Sequence, residues 1–187
     1  ELHCHSNYSF KEGASSLEEL IIRADELKYP SLALTDHDNM SGAMEFSRIA
    51  NSVGIHPITG VEISLTDGSH LTLLAETRQG YANICNLVTA SYMDINGSRK
   101  NPRLDPVFFQ KHAEGVILLT GCSKGKISRL VQAGRFQEAE YQLRCYLEWL
   151  GTSNVFIELQ QNLVYGDTLR NKSLIRLASK FAIGTVA

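Results

Sequence analysis

No two cysteines in this 187-residue chain stand in a CxxC spacing: Cys4, Cys85, Cys122 and Cys145 are scattered. That excludes a zinc knuckle or a dithiol redox motif, and in a reducing compartment all four read as free thiols. Long apolar runs are missing as well. None exceeds about five residues, Gly115 to Leu119 being typical, against the roughly 20 needed to cross a bilayer, and nothing resembles a signal peptide. The chain therefore reads as cytosolic, with no membrane partner. Neither charge is in large excess. Eighteen Lys+Arg against 20 Asp+Glu give a net charge of −2, so no global positive field is present to hold a polyanion, and any nucleic-acid binding must be local. Linkers, repeats and low-complexity stretches are absent. So is an initiator Met, and the chain opens directly on a motif, which reads as one domain, residues 1–187, cut from a longer protein. What remains, 43% apolar and 20% charged residues, is the composition of an ordinary globular domain.

Helix-like and strand-like segments alternate throughout. Ser16 and Glu19 form a possible capping box, after which Leu17, Leu20, Ile21, Ala24 and Leu27 recur at helical spacing up to Pro30. Ser31 to Thr35 is short and apolar, as a strand buried on both faces should be, and it ends abruptly in Thr35-Asp36-His37-Asp38-Asn39. Ala43, Phe46, Ala50 and Val53 mark a helix that stops at Gly54, and Ile58 to Leu65 reads as the next strand. Asp67-Gly68 supplies a turn into Leu71 to Ala75. Further helical stripes run through Tyr81, Ile84, Cys85 and Val88, through Phe136, Ala139, Leu143, Tyr146 and Leu150, and through Leu174, Leu177, Ala178 and Phe181. Strands Val116 to Thr120, Val155 to Leu159 and Ile183 to Ala187 complete about seven strands interleaved with helices, an α/β pattern that predicts a parallel sheet, open or closed into a barrel. In a barrel the chemistry sits at the C-terminal rim of the strands.

Polar residues gather at those rims. In an extended His3-Cys4-His5, residues i and i+2 share a face, so both imidazoles can reach one metal while Cys4 points away. Asp36, beside His37, can orient the imidazole or bind a metal, or it can cap the following helix. Glu62 interrupts the apolar Ile58-Thr59-Gly60-Val61-Glu62-Ile63, and a carboxylate in a buried strand must be paired or coordinate a metal. No Lys or Arg lies within that strand to pair with it. His70 opens the next strand near the same rim, and whether it shares a face with Glu62 depends on the loop between them. Cys122, just past a strand, is either a thiolate ligand or an unligated half-buried cysteine. Glu12, in Phe10-Lys11-Glu12-Gly13-Ala14, has the default reading of a solvated loop carboxylate, and His56 and His112 read as structural.

The combination His3-x-His5, Thr35-Asp36-His37, Gly60-Val61-Glu62, His70-Leu71-Thr72-Leu73-Leu74-Ala75 and Thr120-Gly121-Cys122 resembles the PHP (polymerase and histidinol phosphatase) domain. More narrowly it resembles the version at the N-terminus of bacterial C-family DNA polymerases, the DNA polymerase III alpha subunits. Tyr8 to Ala14, Gly80 to Cys85 and Phe156 to Gln160 are similar to that subgroup, and Glu1 to Asn7 and Leu163 to Asn171 lean toward its error-prone branch. The resemblance implies a distorted seven-stranded β/α barrel holding up to three divalent metals, Zn, Mn or Fe. By that resemblance His3, His5 and Glu62 hold one metal, and Glu62 bridges to a second on His70 and Cys122. A third takes His37 and Glu12, where the polymerase pattern has Asp. Family members also carry a Thr-Asn-Asp-x-His-like motif after the strand that here is Ile183 to Ala187; its two ligands lie beyond this sequence, so the fragment is expected to bind metal weakly and hydrolyse little or nothing.

The activity so implied is metal-dependent phosphoester hydrolysis of the 3′ to 5′ exonuclease type, with Glu62 and Asp36 as its catalytic residues, Asp36 orienting the site. The partners implied are DNA, held through the parent polymerase, and other polymerase domains or subunits. Two other readings stand beside it: a non-catalytic structural and interaction module of the polymerase, and a small-molecule phosphatase such as histidinol phosphatase. Tyr81 and Glu158-Leu159-Gln160 argue against the last. Arg99-Lys100 with Arg103 is the one local basic cluster that offers itself to DNA, or else a solvated loop.

Overall fold

Ser16 opens the first helix as its sequence predicts. Its hydroxyl accepts from the backbone N–H of Glu19 and the Glu19 carboxylate accepts from the N–H of Ser16, so the chain enters α1 (Leu17–Glu26) at a fixed angle. The computed structural model describes residues 1–93 and 101–187. Leu17, Ile21 and Ala24 of α1 pack with Phe46 and Ala50 of α2 (Ala43–Ser52) and with Leu32 and Leu34 of β1 (Ser31–Leu34). This packing closes one side of the fold.

The remaining strands are β2 (His56–Ser64), β3 (His70–Ala75), β4 (Val116–Leu119), β5 (Val155–Glu158) and β6 (Thr185–Val186), and all six lie side by side in sequence order. The all-parallel sheet expected from the alternation needs one correction. β1 with β2, β4 with β5, and β5 with β6 are parallel, but β3 runs antiparallel to both neighbours. The cause is local. A parallel return needs a crossover of about a dozen residues, whereas β2 and β3 are joined by a tight turn at Asp67-Gly68, whose Asp67 carboxylate accepts from the Ser69 N–H and hydroxyl.

The sheet curls into a half-barrel. Among the described residues six strands are formed; beside β1, where a seventh would lie, residues 1–5 bend at His3 and hydrogen-bond to β1 without forming a strand. Ala33 N–H donates to the Glu1 carbonyl and Thr35 N–H to the Cys4 carbonyl. Leu74, Leu119 and Ala33 point into the concave face with Leu2, Phe156 and Val186 against them, while Val61, Ile63, Leu71, Leu73 and Leu118 face the helices. Those helices are α3 (Arg78–Met93), the short α4 (Phe109–His112), α5 (Lys126–Gln132), α6 (Phe136–Leu150) and α7 (Asp167–Phe181). The buried stripe of α3 is rotated from the one expected: Ile84 and Leu87 face inward with the small Gly80 and Ser91, and Tyr81 is left on the outside. Small residues let the helix sit close to the sheet, which an apolar count does not reveal. All four cysteines are free thiols, and among the described residues no helix is long and apolar enough to cross a membrane.

Candidate metal centre

The reversal of β3 assembles the site. Ser64 pairs with His70 and Glu62 with Thr72 across the β2–β3 ladder; residues opposite each other, and residues two apart, share a face. Glu62 and His70 therefore both point into the concave end of the half-barrel, which resolves the question left open by the loop. On the other side the β1–β2 pairing carries on past Leu34 to a bridge between His37 and Glu62. His3 and His5 arrive on the N-terminal segment that hydrogen-bonds to the edge of β1.

Glu62 is the hub, 2% exposed. Its Oε1 lies 3.4 Å from His3 Nε2 and 3.3 Å from His70 Nδ1. Its Oε2 lies 3.5 Å from His5 Nε2 and 3.2 Å from His37 Nδ1. The Cys122 thiol donates to Oε1 at 3.5 Å. Among the described residues no Lys or Arg pairs with Glu62, so the salt-bridge alternative falls away. His5 Nε2 and His70 Nδ1 are buried with no hydrogen-bond partner, which is costly for a polar atom unless something else satisfies it. Two sets of side chains bring their ligand atoms within 4.8 Å of one another: His3, His5 and Glu62, and His37, Glu62 and His70. Imidazole nitrogens with a shared carboxylate suit a divalent Zn, Mn or Fe, and the two orphaned ring nitrogens are what such an ion would satisfy.

This grouping differs in detail from the resemblance-based one. The first set groups the same three residues as the resemblance does, whereas His70 is grouped with His37 rather than with Cys122, and Glu12 and Cys122 stand outside both sets. Glu12 is an exposed loop carboxylate, as its sequence suggests, but it is not unpartnered. Its Oε2 is 2.6 Å from His37 Nδ1 and 3.9 Å from His5 Nδ1, while Lys124 Nζ donates to its Oε1 at 3.3 Å. The loop that brings Glu12 in is tightly closed: a Cβ on Gly13 would lie 1.9 Å from the Ser6 carbonyl oxygen. Gly121, at φ +82°, does the same for Cys122, since a Cβ there would lie 2.7 Å from the His70 carbonyl oxygen.

Asp36 is fully buried but does not touch the His37 ring. Its oxygens accept from Ser6 N–H and hydroxyl, both at 2.8 Å, and from the Ser9 hydroxyl at 2.5 Å. Ser9 Oγ in turn accepts from the His37 backbone N–H. Asp36 thus fixes the loop of residues 6–13 and, through it, Glu12. The His37 ring is held by Asp38 and Ser64, whose Oδ2 and Oγ lie 3.1 Å and 2.8 Å from Nε2. On His3 the equivalent partner is Glu158, 2.7 Å from Nδ1. These carboxylates orient imidazoles whose other nitrogens face Glu62, the arrangement typical of metal-ligating histidines. Glu158 and Asp38 were not among the site residues expected from sequence. The available signal was a carboxylate ending a buried strand in one case and a second acid in the Thr35-to-Asn39 segment in the other.

The electrostatics favour a cation. Burial works against a charged His3, yet Glu158 and Glu62 raise its pKa to about 10; burial also opposes His37, which Asp38, Glu12 and Glu62 raise to about 9. Burial would push the Glu62 carboxyl up, but His3 and His70 hold it far below the usual carboxylate range. His5 is lowered by burial and by the neighbouring His3 and His37. Burial and then the Glu62 charge raise the Cys122 thiol to about 11. To ligate a cation His3 and His37 would have to give up a proton, so any metal affinity of the pocket is expected to rise with pH across the neutral range, as a metal titration at several pH values would show.

Over His37 and His70 lies a cleft of about 580 Å³ whose walls include Tyr8, Phe10, Tyr92, Arg103 and Lys124. Arg103 is the member of the expected basic cluster seen there; Arg99 and Lys100 lie outside the described residues.

Residues 1–162 match the family model described as the PHP domain. The chain belongs to the PHP family. The PHP chain is 38% identical to the error-prone DNA polymerase of Symbiobacterium thermophilum and 37% identical to the DNA polymerase III subunit alpha of Treponema pallidum, over 99% of its own length in both. It spans only 18% and 17% of those two polymerases. The nearly equal identities extend the likeness to both branches rather than to the error-prone one alone. Among solved structures, a protein of Bifidobacterium adolescentis provisionally assigned as a metal-dependent phosphoesterase superposes with a TM-score of 0.59 at 12% identity, covering 99% of this chain and 84% of that one. An amidohydrolase of Chromobacterium violaceum gives 0.55 at 17% identity with the same coverage. Likeness at these identities establishes the shared fold.

Proposed function

We propose that this PHP chain is a domain of a DNA polymerase III alpha-type subunit and that its His/Glu pocket is a metal-dependent phosphodiesterase site acting on a DNA 3′ end. The observation that carries the reading is Glu62, buried among four imidazoles of which two present a buried ring nitrogen with no partner. A charge hub of this kind adds little to folding that an apolar residue would not, whereas it is suited to holding cations. His3, His5 and Glu62 would hold one ion and His37, Glu62 and His70 another, with Cys122 and Glu12 beside them as further ligands. Bound there, such ions polarise a phosphoryl oxygen and supply a nucleophile at neutral pH.

The chain's own residues do the rest. Glu158 keeps a proton on Nδ1 of His3, and Ser64 and Asp38 keep one on Nε2 of His37, so each ring turns its other nitrogen inward. Asp36 holds the loop that delivers Glu12, a positioning role. Lys124, above Glu12, offers a cation to a substrate phosphate. The test uses the full-length polymerase with Mn²⁺ and a 5′-labelled single-stranded oligonucleotide. The expected result is stepwise shortening from the 3′ end, abolished by chelation and lowered at least about a hundredfold by His5→Ala. Full metal occupancy with no shortening would instead assign the domain to the structural-module reading.

A further inference from the structure

The loop of residues 6–13 has two outputs, and the site uses one. Glu12 turns toward His37, while Phe10 stands 85% exposed in the wall of the cleft over His37 and His70. An exposed phenylalanine is unremarkable on a loose loop, but this loop is pinned. Asp36 takes three hydrogen bonds from Ser6 and Ser9, and Glu12 and Gly13 N–H both donate back to the Ser9 carbonyl around Phe10. Lys11 adopts a left-handed φ of 70°, a conformation a lysine takes only when its surroundings impose it. The buried carboxylate that positions Glu12 thus also fixes the backbone that presents Phe10 to solvent.

The company it keeps points to a ligand class. Tyr8 and Tyr92 line the same cleft, each partly exposed, with Lys124 and Arg103. Aromatic faces beside cations in an open groove are the means by which proteins hold single-stranded nucleic acid: bases stack, and phosphates meet the charges. The cleft, at about 580 Å³, falls within the roughly 300–1,000 Å³ range of small-ligand sites, and its lining includes His37 and His70 of the second set.

We propose that Phe10 is the stacking platform for a base at the end of a single DNA strand, with Lys124 and Arg103 receiving the adjoining phosphates, so that the cleft selects a polynucleotide over a small phosphate ester. The inference rests on the phosphodiesterase reading for its choice of DNA. It makes Phe10 a specificity-determining residue of that site.

The experiment has two arms in the full-length polymerase. In the first, an oligonucleotide ending in 5-iodo-deoxyuridine is irradiated with the chelated protein, and the adduct is mapped by mass spectrometry. The expected adduct is on Phe10, lost in Phe10→Ala and retained in Phe10→Trp. In the second, KM for 3′ shortening of an oligothymidylate rises about tenfold or more in Phe10→Ala and returns in Phe10→Trp. An adduct that maps elsewhere in the domain, or a KM unmoved by Phe10→Ala, overturns the inference while leaving the hydrolytic reading intact. An adduct on Phe10 with no shortening by the wild type upholds the inference and removes that reading.

Discussion

Glu62→Ala is expected to strip both metal sets at once and to lower heat stability with them. Glu62 is the one carboxylate common to His3 with His5 and to His37 with His70, so no other single change removes a ligand from each. The loss goes beyond the ligand. The His3 and His5 ring centroids are 5.3 Å apart and those of His37 and His70 4.5 Å, and without Glu62 these rings lose the carboxylate they share. We expect metal affinity to fall at least about a hundredfold, and the metal-loaded wild type to melt well above the variant. In metal-free protein the sign of the pH dependence is fixed by the depressed Glu62 carboxyl. Its stabilisation is present above the ordinary carboxylate range and lost as pH falls below it, so the gap between wild type and variant narrows in acid. Elemental analysis with thermal scans of wild type, Glu62→Ala and His5→Ala makes the check. His5→Ala should lose one set and keep the other. A stable, fully metallated Glu62→Ala protein would show that Glu62 is not the shared ligand.

Asp36→Ala should give the largest loss of stability among the polar positions, about 3–5 kcal/mol. Asp36 is fully buried, and its removal strands the Ser6 N–H and two serine hydroxyls without an acceptor. At this chain length that is roughly 8–15 °C in melting temperature. Because the freed loop carries Glu12, its hold on His37 should loosen too, and metal affinity should fall in step with stability. Asp36→Asn keeps one acceptor oxygen and should fall between. Denaturant unfolding of the three proteins measures it, and an Asp36→Ala protein as stable as wild type would contradict the loop-anchoring role.

Much of this centre was legible before the fold was known, for a simple reason. Where a buried strand ends or is interrupted, a polar residue needs an explanation, and His37, Glu62 and His70 each sit at such a point. Glu62 was the clearest, since only pairing or coordination accounts for a carboxylate inside Ile58 to Ile63. Contacts made across the sheet were not legible. Glu158 meets His3 across 155 residues of sequence, and nothing near either residue announces the other. The grouping of His70 with His37 depends on the register of the antiparallel β2–β3 pair; the Asp67-Gly68 turn was readable, but not the number of loop residues that decides which face His70 takes. Asp36 had the right address and the wrong neighbour. Asp36 and Asp38 both flank His37; the left-handed φ of 55° at Asp38 takes the chain out of strand geometry there, and it is the Asp38 carboxylate that reaches the His37 ring while Asp36 turns to the loop of Ser6 and Ser9.

The central claim, that the buried Glu62 carboxylate lies between two cation sites, is tested most directly by anomalous X-ray scattering from crystals grown with Zn²⁺ or Mn²⁺. The account predicts anomalous peaks on both sides of Glu62, one among His3, His5 and Glu62 and one among His37, Glu62 and His70. Crystals saturated with metal that show no peak within bonding distance of Glu62 would contradict it.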